Sequence, residues 1–403
     1  MVVSGRLAGT IALIVGGVFY QISFTNLPIV LPLVNSSLHL GGLSGLVVGA
    51  FPLGAAALFI PSGVVALRFG ARTTLLVGLI VEGVAGTFSA LAQDPLELTV
   101  LRVVSGAGAA LFYAPAVGLL AALFPAPNRA VVIGLFASLS VAVGATAGFL
   151  GGAFLGLAFG WRVLLAVSGF GTLAVAAVGW VWVPAPEGPT SPDSAAAQWA
   201  RFLAVLRSPA IWFLSLGVSG FYTAGYLGPA FLSTFVRSVH GGWGLEYAGI
   251  VGSLAFVAFV PGAFFGGRWS EGGGDRRRIL AVFGGPFGAL IFLIPLANRL
   301  ELVFLFAVLG FLFGGALATT LSMPSYLSTT SGNRTPSAVG IIESVGGFAR
   351  FGGAATFGVI ELTMGFGWAW GVTGLIALGT LPLLLGVPAN RNTLNEGSTD
   401  STP

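Results

Sequence analysis

Four ionisable side chains fall inside long apolar runs of this chain: Glu82, Arg102, Glu343 and Arg350. A charge in such a run needs a partner, a cavity or a route to water. Glu361 lies near the outer end of the run that holds Glu343 and Arg350. Glu343 and Arg350 are seven residues apart, nearly two helical turns, so on one helix they share a face about 10 Å apart. A carboxylate so placed is a group that could take up and release a proton as water access changes. Glu343 is therefore the candidate proton-coupling residue, and a purely structural pair with Arg350 is the competing reading. Arg102, Gly106 and Tyr113 fall within about 40° of one another on a helix. An Arg fork can hold a carboxylate or oxyanion at two points. Arg102 is thus a candidate substrate or gating contact, against an ion pair with Glu82 or Asp94.

Polar and aromatic side chains at one-turn spacing extend this candidate site. Gln21 and Thr25 lie one turn apart, just before Asn26 and Pro28, and Tyr222 and Tyr226 repeat that spacing in a later run. Pro324 and Tyr326 stand near the end of another. Other chemistries lack their residues. With no Cys there are no disulfides, thiolate metal sites or Cys nucleophiles. The two His, His39 and His240, fall in loops and read as solvated rather than as a metal pair. No lysine is present, so no Walker lysine exists for ATP-driven work within this chain. No cofactor, metal or enzymatic activity is expected.

These residues must be held by helices in a bilayer. Charged residues are 7%, hydrophobic residues 56% and mean hydropathy +0.97, whereas a soluble domain carries about 25% charge. Helices of roughly 20 apolar residues can span a bilayer with every backbone group satisfied. Twelve such runs are read: 7–34, 43–66, 73–93, 96–123, 131–157, 162–183, 210–236, 247–267, 279–297, 301–327, 337–362 and 367–387. The first is too long for the apolar region of a cleavable signal peptide.

Arginine falls on alternate connections. One side carries Arg6, Arg68, Arg72, Arg129, Arg201, Arg207, Arg268, Arg276, Arg277, Arg278, Arg334 and Arg391; the other carries Arg162, Arg237 and Arg299. By the positive-inside rule both termini are expected to be cytoplasmic, in a multi-pass protein of the plasma or inner membrane. The sequence pI near 10.0 then reflects topology, and no continuous basic face invites nucleic acid.

Residues 184–209 hold Pro184, Pro186, Pro189 and Pro192 with Ser and acidic residues, a linker composition. Within it Gln198–Leu206 has helical spacing suited to the membrane surface. The expected organisation is a six-helix half over 1–183, a cytoplasmic linker over 184–209, a second half over 210–387 and a tail over 388–403. The halves echo each other at about 205 residues. Asn128-Arg129 recurs as Asn333-Arg334, Gly134 with Ser138 as Gly340 with Ser344, Phe159-Gly160-Trp161 as Phe366-Gly367-Trp368, and Gly63 with Arg72 as Gly267 with Arg276. Six-plus-six repeats are a common transporter design, with substrate bound between the halves near the bilayer midplane.

Gly63, Arg68, Gly70 and Arg72 between the second and third runs resemble the signature G-x-x-x-D-R-x-G-R-R of the major facilitator superfamily, with Leu67 in place of the acid. A looser copy, Gly267-Arg268-Trp269-Ser270-Glu271 followed by Asp275-Arg276-Arg277-Arg278, keeps an acid at Glu271. Arg102-x-x-x-Gly106-x-Gly108 resembles another motif of that family. Gly144-x-x-x-Gly148-Phe149-x-Gly151-Gly152 resembles its antiporter motif with Phe149 replacing the defining Pro, so antiport is not inferred from it. The resemblance implies an all-α membrane fold of two pseudo-symmetric six-helix bundles. It also implies a conformational latch at Gly63, Arg68, Gly70, Arg72 and Glu271, in which arginines meet helix C-termini and a carboxylate.

In the resembled fold, spans one, four, seven and ten line the central cavity, which turns Arg102 and Tyr113 inward. Span three lies at the periphery, which gives Glu82 a structural or lipid-interface role. The implied function is secondary transport of a small solute, an organic or inorganic anion in view of the inward arginines. Its partners are that substrate, the lipid bilayer and a coupling proton, and a monomer is expected. A multidrug–proton antiporter is the nearest rival, and a non-transporting membrane sensor the rival from another class.

Overall fold

The computed structural model describes residues 2–124, 126–184, 195–239, 243–271, 275–327 and 335–388. Those residues form helices and their connections, with no strand among them. The first six helices are α1 (Val2–Leu38), α2 (Ser44–Phe69), α3 (Ala71–Ser89), α4 (Pro95–Leu123), α5 (Ala126–Leu139) and α6 (Gly152–Trp182). Helix α7 (Ala195–Leu206) follows, as the spacing of Gln198–Leu206 predicts. Then come α8 (Pro209–Val239), α9 (Leu245–Glu271), α10 (Arg276–Ile291), α11 (Arg299–Ser322), α12 (Thr335–Met364) and α13 (Phe366–Thr380), the last extended by a 3₁₀ segment to Gly386. The proline-rich stretch 185–194, His240 and the tail from 389 lie outside the described residues, as do Asn333 and Arg334.

Among the described residues, ten stretches are long and apolar enough to cross a membrane. One of them, Val132–Trp182, is 51 residues long and holds two spans. Gly160 breaks it, at φ 83° and ψ 163°, a backbone region essentially restricted to glycine. Helix α12, with Glu343, Arg350 and Glu361 on 30 residues, supplies a further span. The twelve runs read from hydropathy thus each have a helix.

Span five is not a regular helix. Between α5 and α6 the chain winds as π-helical turns over Ser140–Ala145 and Ala147–Gly151. Wider turns of this kind concentrate at functional sites. They coincide with the glycine-rich stretch that resembles an antiporter motif. A Cβ on Gly144 would strike Val18 and Gln21 of α1, and one on Gly148 would strike Thr25. The glycines let span five press against α1, the use expected where lipid removes the hydrophobic drive for helices to associate.

The internal repeat is geometric as well as sequential. Asp94 caps α4 by accepting from the Leu96 and Glu97 amides, and Asn298 caps α11 by accepting from Leu300 and Glu301. A Cβ on Gly106 would meet the Phe51 carbonyl, and one on Gly310 the Ala255 carbonyl. Gly160 has its counterpart in Gly365, at φ 87°. That last pairing corrects the register read from Phe-Gly-Trp. The turn glycine of the second half is Gly365, two residues before Gly367, because the shared requirement is a positive φ and not the flanking aromatics.

Between the halves α2 and α12 pack along their length. A Cβ on Gly45 would land on the Ala354 carbonyl, Gly49 faces Phe351, and Gly347 faces Pro52 and Ala56. The start of α1, the end of α2 and α7 share one end of the bundle, termed the near end; the opposite end is the far end. At the far end Ala153 and Phe149 meet Gly249 and Gly252 of α9. Toward the near end α5 packs chiefly on α1 and α4. Among the described residues the halves thus meet through span five and α9 at the far end, whereas toward the near end α5 and α9 do not pack appreciably on each other.

Candidate functional site

The buried charges and tyrosines converge between the halves. Tyr222 on α8 donates its hydroxyl to Glu343 Oε1 on α12 at 2.8 Å. Arg350, two turns further along α12, reaches Glu343 Oε2 at 3.7 Å, and its guanidinium lies 4.5 Å from the centre of the Tyr222 ring. Glu343 and Arg350 therefore pair with each other and share Tyr222 between them. Their side chains are 22% and 14% exposed, so the pair is sheltered but not sealed.

Arg102, on α4 of the first half, is 2% exposed. One of its terminal nitrogens donates to the Ser23 carbonyl of α1 at 2.6 Å. Its guanidinium lies 4.8 Å over the Phe51 ring, and its Nε has no hydrogen-bond partner. No carboxylate oxygen lies within ion-pair distance of it among the described residues. The static pair with Glu82 or Asp94 is thus not formed; Asp94 is committed to capping α4.

An aromatic wall joins the two arginines. Phe51 packs on Phe24 at 5.8 Å, Phe24 on Tyr226 at 5.0 Å and Tyr20 on Tyr113 at 5.1 Å. Tyr113 continues to Phe136 at 5.2 Å. Tyr226 spends its hydroxyl on the Val48 carbonyl of α2 at 2.7 Å.

Tyr20, Phe24 and Phe51 were not singled out from sequence. The pair chosen on α1, Gln21 and Thr25, sits one residue round the helix. The Thr25 hydroxyl donates to the Gln21 carbonyl at 2.7 Å and lies against Gly148 of span five. Polarity points to the face that packs on glycine, whereas the face of α1 turned toward Phe51, Tyr113 and Tyr226 is aromatic. The available signal was the i, i+4 pair Tyr20 and Phe24, the same spacing as Tyr222 and Tyr226.

Glu82 departs from its expected peripheral setting. It is 0% exposed, with its backbone against Gly108 of α4 and neither carboxylate oxygen hydrogen-bonded. The lipid-interface role is overturned. Span three is pressed face to face on span four through Gly78 and Gly108, which hides the side chain.

The connections at the near end show what the motif arginines touch. Arg72 donates from Nε to the Val183 carbonyl at 2.7 Å and from a terminal nitrogen to the Trp180 carbonyl, satisfying the last carbonyls of α6. In the second half the donor to the matching carbonyl, Val387, is Arg277, at 3.1 Å; Arg276 instead donates to Ser270 and stacks on Tyr326. The true counterpart of Arg72 is thus Arg277. Asp275, which holds Arg277 at 2.9 Å, supplies the carboxylate there, and Arg277 in turn keeps the Asp275 carboxyl below its usual range. Glu271, Gly63 and Arg68 are exposed; Arg68 lies over the Phe69 ring, and Gly70 makes the turn at φ 85°. Glu271 has no ion pair among the described residues.

Comparison with known proteins agrees with this architecture. The family model described as Major Facilitator Superfamily matches residues 13–354. Monocarboxylate transporter 11 of Homo sapiens is 29% identical over 269 residues, 64% of this chain and 54% of that protein. The hexuronate transporter of Bacillus subtilis is 30% identical over 159 residues, 39% of this chain and 37% of the relative, and the methylenomycin A resistance protein of the same organism is 35% identical over 133 residues, 33% and 28%. The matches thus span from about a quarter to about half of the length of these relatives. Among solved structures, the inward-open xylose transporter of E. coli superposes with a TM-score of 0.75 at 14% identity, covering 96% of this chain and 98% of that one. A bacterial homologue of the lysosomal transporter Spinster gives 0.70 at 18% identity, covering 95% of each.

Proposed function

Because this chain belongs to the Major Facilitator Superfamily, and is thus a multi-pass membrane transporter, we propose that it moves a small anion, of the carboxylate class, by alternating access between its two halves. The observation that carries the reading is Arg102: buried between the halves, without a carboxylate partner, and with Nε unpaired. A buried cation whose nearest acid, Glu82, stands beyond ion-pair distance is costly, and an anionic substrate would supply a direct partner. Relatives named for monocarboxylates and hexuronate transport support the same class.

On this reading substrate lies between Arg102 and Arg350, walled by Tyr20, Phe24, Tyr113, Tyr222 and Tyr226. A carboxylate arriving at Arg350 competes with Glu343 for the same guanidinium. Protonation of Glu343 frees Arg350 while the neutral acid keeps its hydrogen bond with Tyr222. Substrate and proton would therefore bind together, which gives coupling to a proton gradient. With both termini cytoplasmic, the orientation that the arginine distribution favours, the far-end closure corresponds to a state opening toward the cytoplasm. Arg72 and Arg277 then act as the near-end ties, each binding the end of its half's sixth helix to the connection between its second and third.

A second reading, export of aromatic or cationic drugs, is favoured by the aromatic wall and by relatives named for methylenomycin A and quinolone resistance. One experiment separates the two. Purified protein is screened for thermal stabilisation by small carboxylates, nitrate, sugars and cationic dyes, and hits are tested for counterflow in proteoliposomes. Carboxylate stabilisation and counterflow, both lost in Arg102→Ala, are expected. Stabilisation by cationic dyes alone transfers the assignment to drug export.

A further inference from the structure

Two hydroxyls cross from α8 into the other half, and both end on backbone carbonyls. Ser233 donates to the Pro28 carbonyl of α1 at 2.9 Å, and Tyr226 donates to the Val48 carbonyl of α2 at 2.7 Å. Both bonds are buried. In an α-helix each carbonyl accepts from the amide four residues on. Four residues after Pro28 stands Pro32, and four after Val48 stands Pro52. Proline has no amide hydrogen. Both acceptors are therefore carbonyls that their own helices cannot satisfy.

An unpaired carbonyl inside a membrane protein is costly, and neighbouring helices are the usual remedy. Here the remedy comes from the opposite half of a molecule whose halves must separate. The arrangement is satisfied only while α8 lies against α1 and α2, with the far end closed. When the halves part there, Pro28 and Val48 lose their donors and must find water or substrate instead.

We propose that Ser233 and Tyr226 are positioning residues of the transport cycle: paired with the carbonyls freed by Pro32 and Pro52, they form an interlock that sets how strongly the far end stays closed. The prolines create the need and the hydroxyls meet it, so neither member is sufficient alone. Replacing Pro52 by Ala supplies the missing amide from within α2. The Val48 carbonyl is then satisfied in both states and the closed state loses its advantage. The same holds for Pro32 and Ser233. This inference rests on the alternating-access reading but does not depend on the nature of the substrate.

The test uses the absence of cysteine. Ser36→Cys and Ser238→Cys, both exposed at the far end and one in each half, are spin-labelled in the full-length protein, and distance distributions are measured without substrate. A second label pair at the near end reports whether the halves alternate at all. Tyr226→Phe and Ser233→Ala are each expected to shift the population toward far-end opening by about two- to tenfold, the worth of one hydrogen bond. Pro52→Ala should shift it the same way, and Tyr226→Phe added to Pro52→Ala should add little; Pro32→Ala with Ser233→Ala should behave likewise. Full additivity within both pairs, or far-end distances indifferent to all four substitutions while the near-end pair still alternates, overturns the interlock. Single unchanging distances at both ends in every variant and with every substrate overturn alternating access itself.

Discussion

Tyr222 holds Glu343 by its hydroxyl at 2.8 Å and by its ring supports the cation that neutralises the same carboxylate, 4.5 Å away. One aromatic side chain thus orients both members of an ion pair that belong to another helix. The carboxylate can change its charge without losing its position, because a hydroxyl donates to a carboxylate and to a neutral acid's carbonyl oxygen alike.

That relationship predicts the behaviour of Glu343→Gln. The amide oxygen keeps the Tyr222 bond, and the charge opposite Arg350 is gone. Proteoliposomes carrying this variant should exchange substrate across the membrane but fail to accumulate it against a pH gradient. Normal gradient-driven accumulation would show that the coupling proton binds elsewhere.

Arg102→Ala should abolish stabilisation by carboxylates, a loss of roughly 2–5 kcal/mol of binding if the guanidinium is the buried partner of the anion. Arg102→Lys should restore part of it, since an ammonium keeps the charge without the two-point fork. The Ser23 carbonyl is followed four residues on by Leu27, which has an amide, so the variant leaves no orphaned acceptor there. Titration by isothermal calorimetry checks it; equal affinity in the alanine variant, still folded, makes Arg102 structural.

Gly160→Ala and Gly365→Ala each place a Cβ where φ is 83° and 87°. About 1–3 kcal/mol of destabilisation is expected for each. No neighbouring atom lies within 4 Å of either added Cβ, so the cost is conformational and not steric. Comparable losses of thermal stability at the two sites, with Gly367→Ala nearly silent, would confirm which glycine makes the second-half turn.

Asp275 links pH to the near end. Its hydrogen bonds to Arg277 depress its pKa in the folded chain. A depressed carboxylate contributes stability that is fully present above its unfolded value of about 3.9 and is lost as pH falls through its lower folded value. Acid unfolding between about pH 4 and 2 should therefore lose part of its steepness in Asp275→Asn, with little change at pH 7 in that slope. An acid transition identical to the parent's excludes a contribution from this group.

Hydropathy and arginine placement carried the helices, because a bilayer imposes length and polarity on every span. The Glu343–Arg350 pair was legible for a related reason: seven residues on one helix fix a common face whatever surrounds it. The role of α1 was not. Polarity pointed to Gln21 and Thr25, but helix rotation is set by the partner's glycines at 144 and 148, and these act through close backbone approach that no single-helix pattern records. The inward burial of Glu82, which leaves its structural role and removes the lipid-interface one, was hidden for the same cause, since the face α3 turns to α4 depends on Gly78 and Gly108 meeting. Tyr226 was singled out as an aromatic ring, yet the meaning of its hydroxyl lies in a proline on another helix.

The glycines and small residues along α2 and α12 bring two backbones together where side chains would ordinarily interleave. Rods in such contact have few teeth to disengage. They can roll and tilt on one another at constant separation, while any approach is blocked by main-chain atoms. The relative motion such a contact would leave to the two halves is a rocking about a line that crosses this seam, as on a pivot, so that one end would shut as the other opens. A bulky residue on that line would seize it without touching substrate, proton or gate.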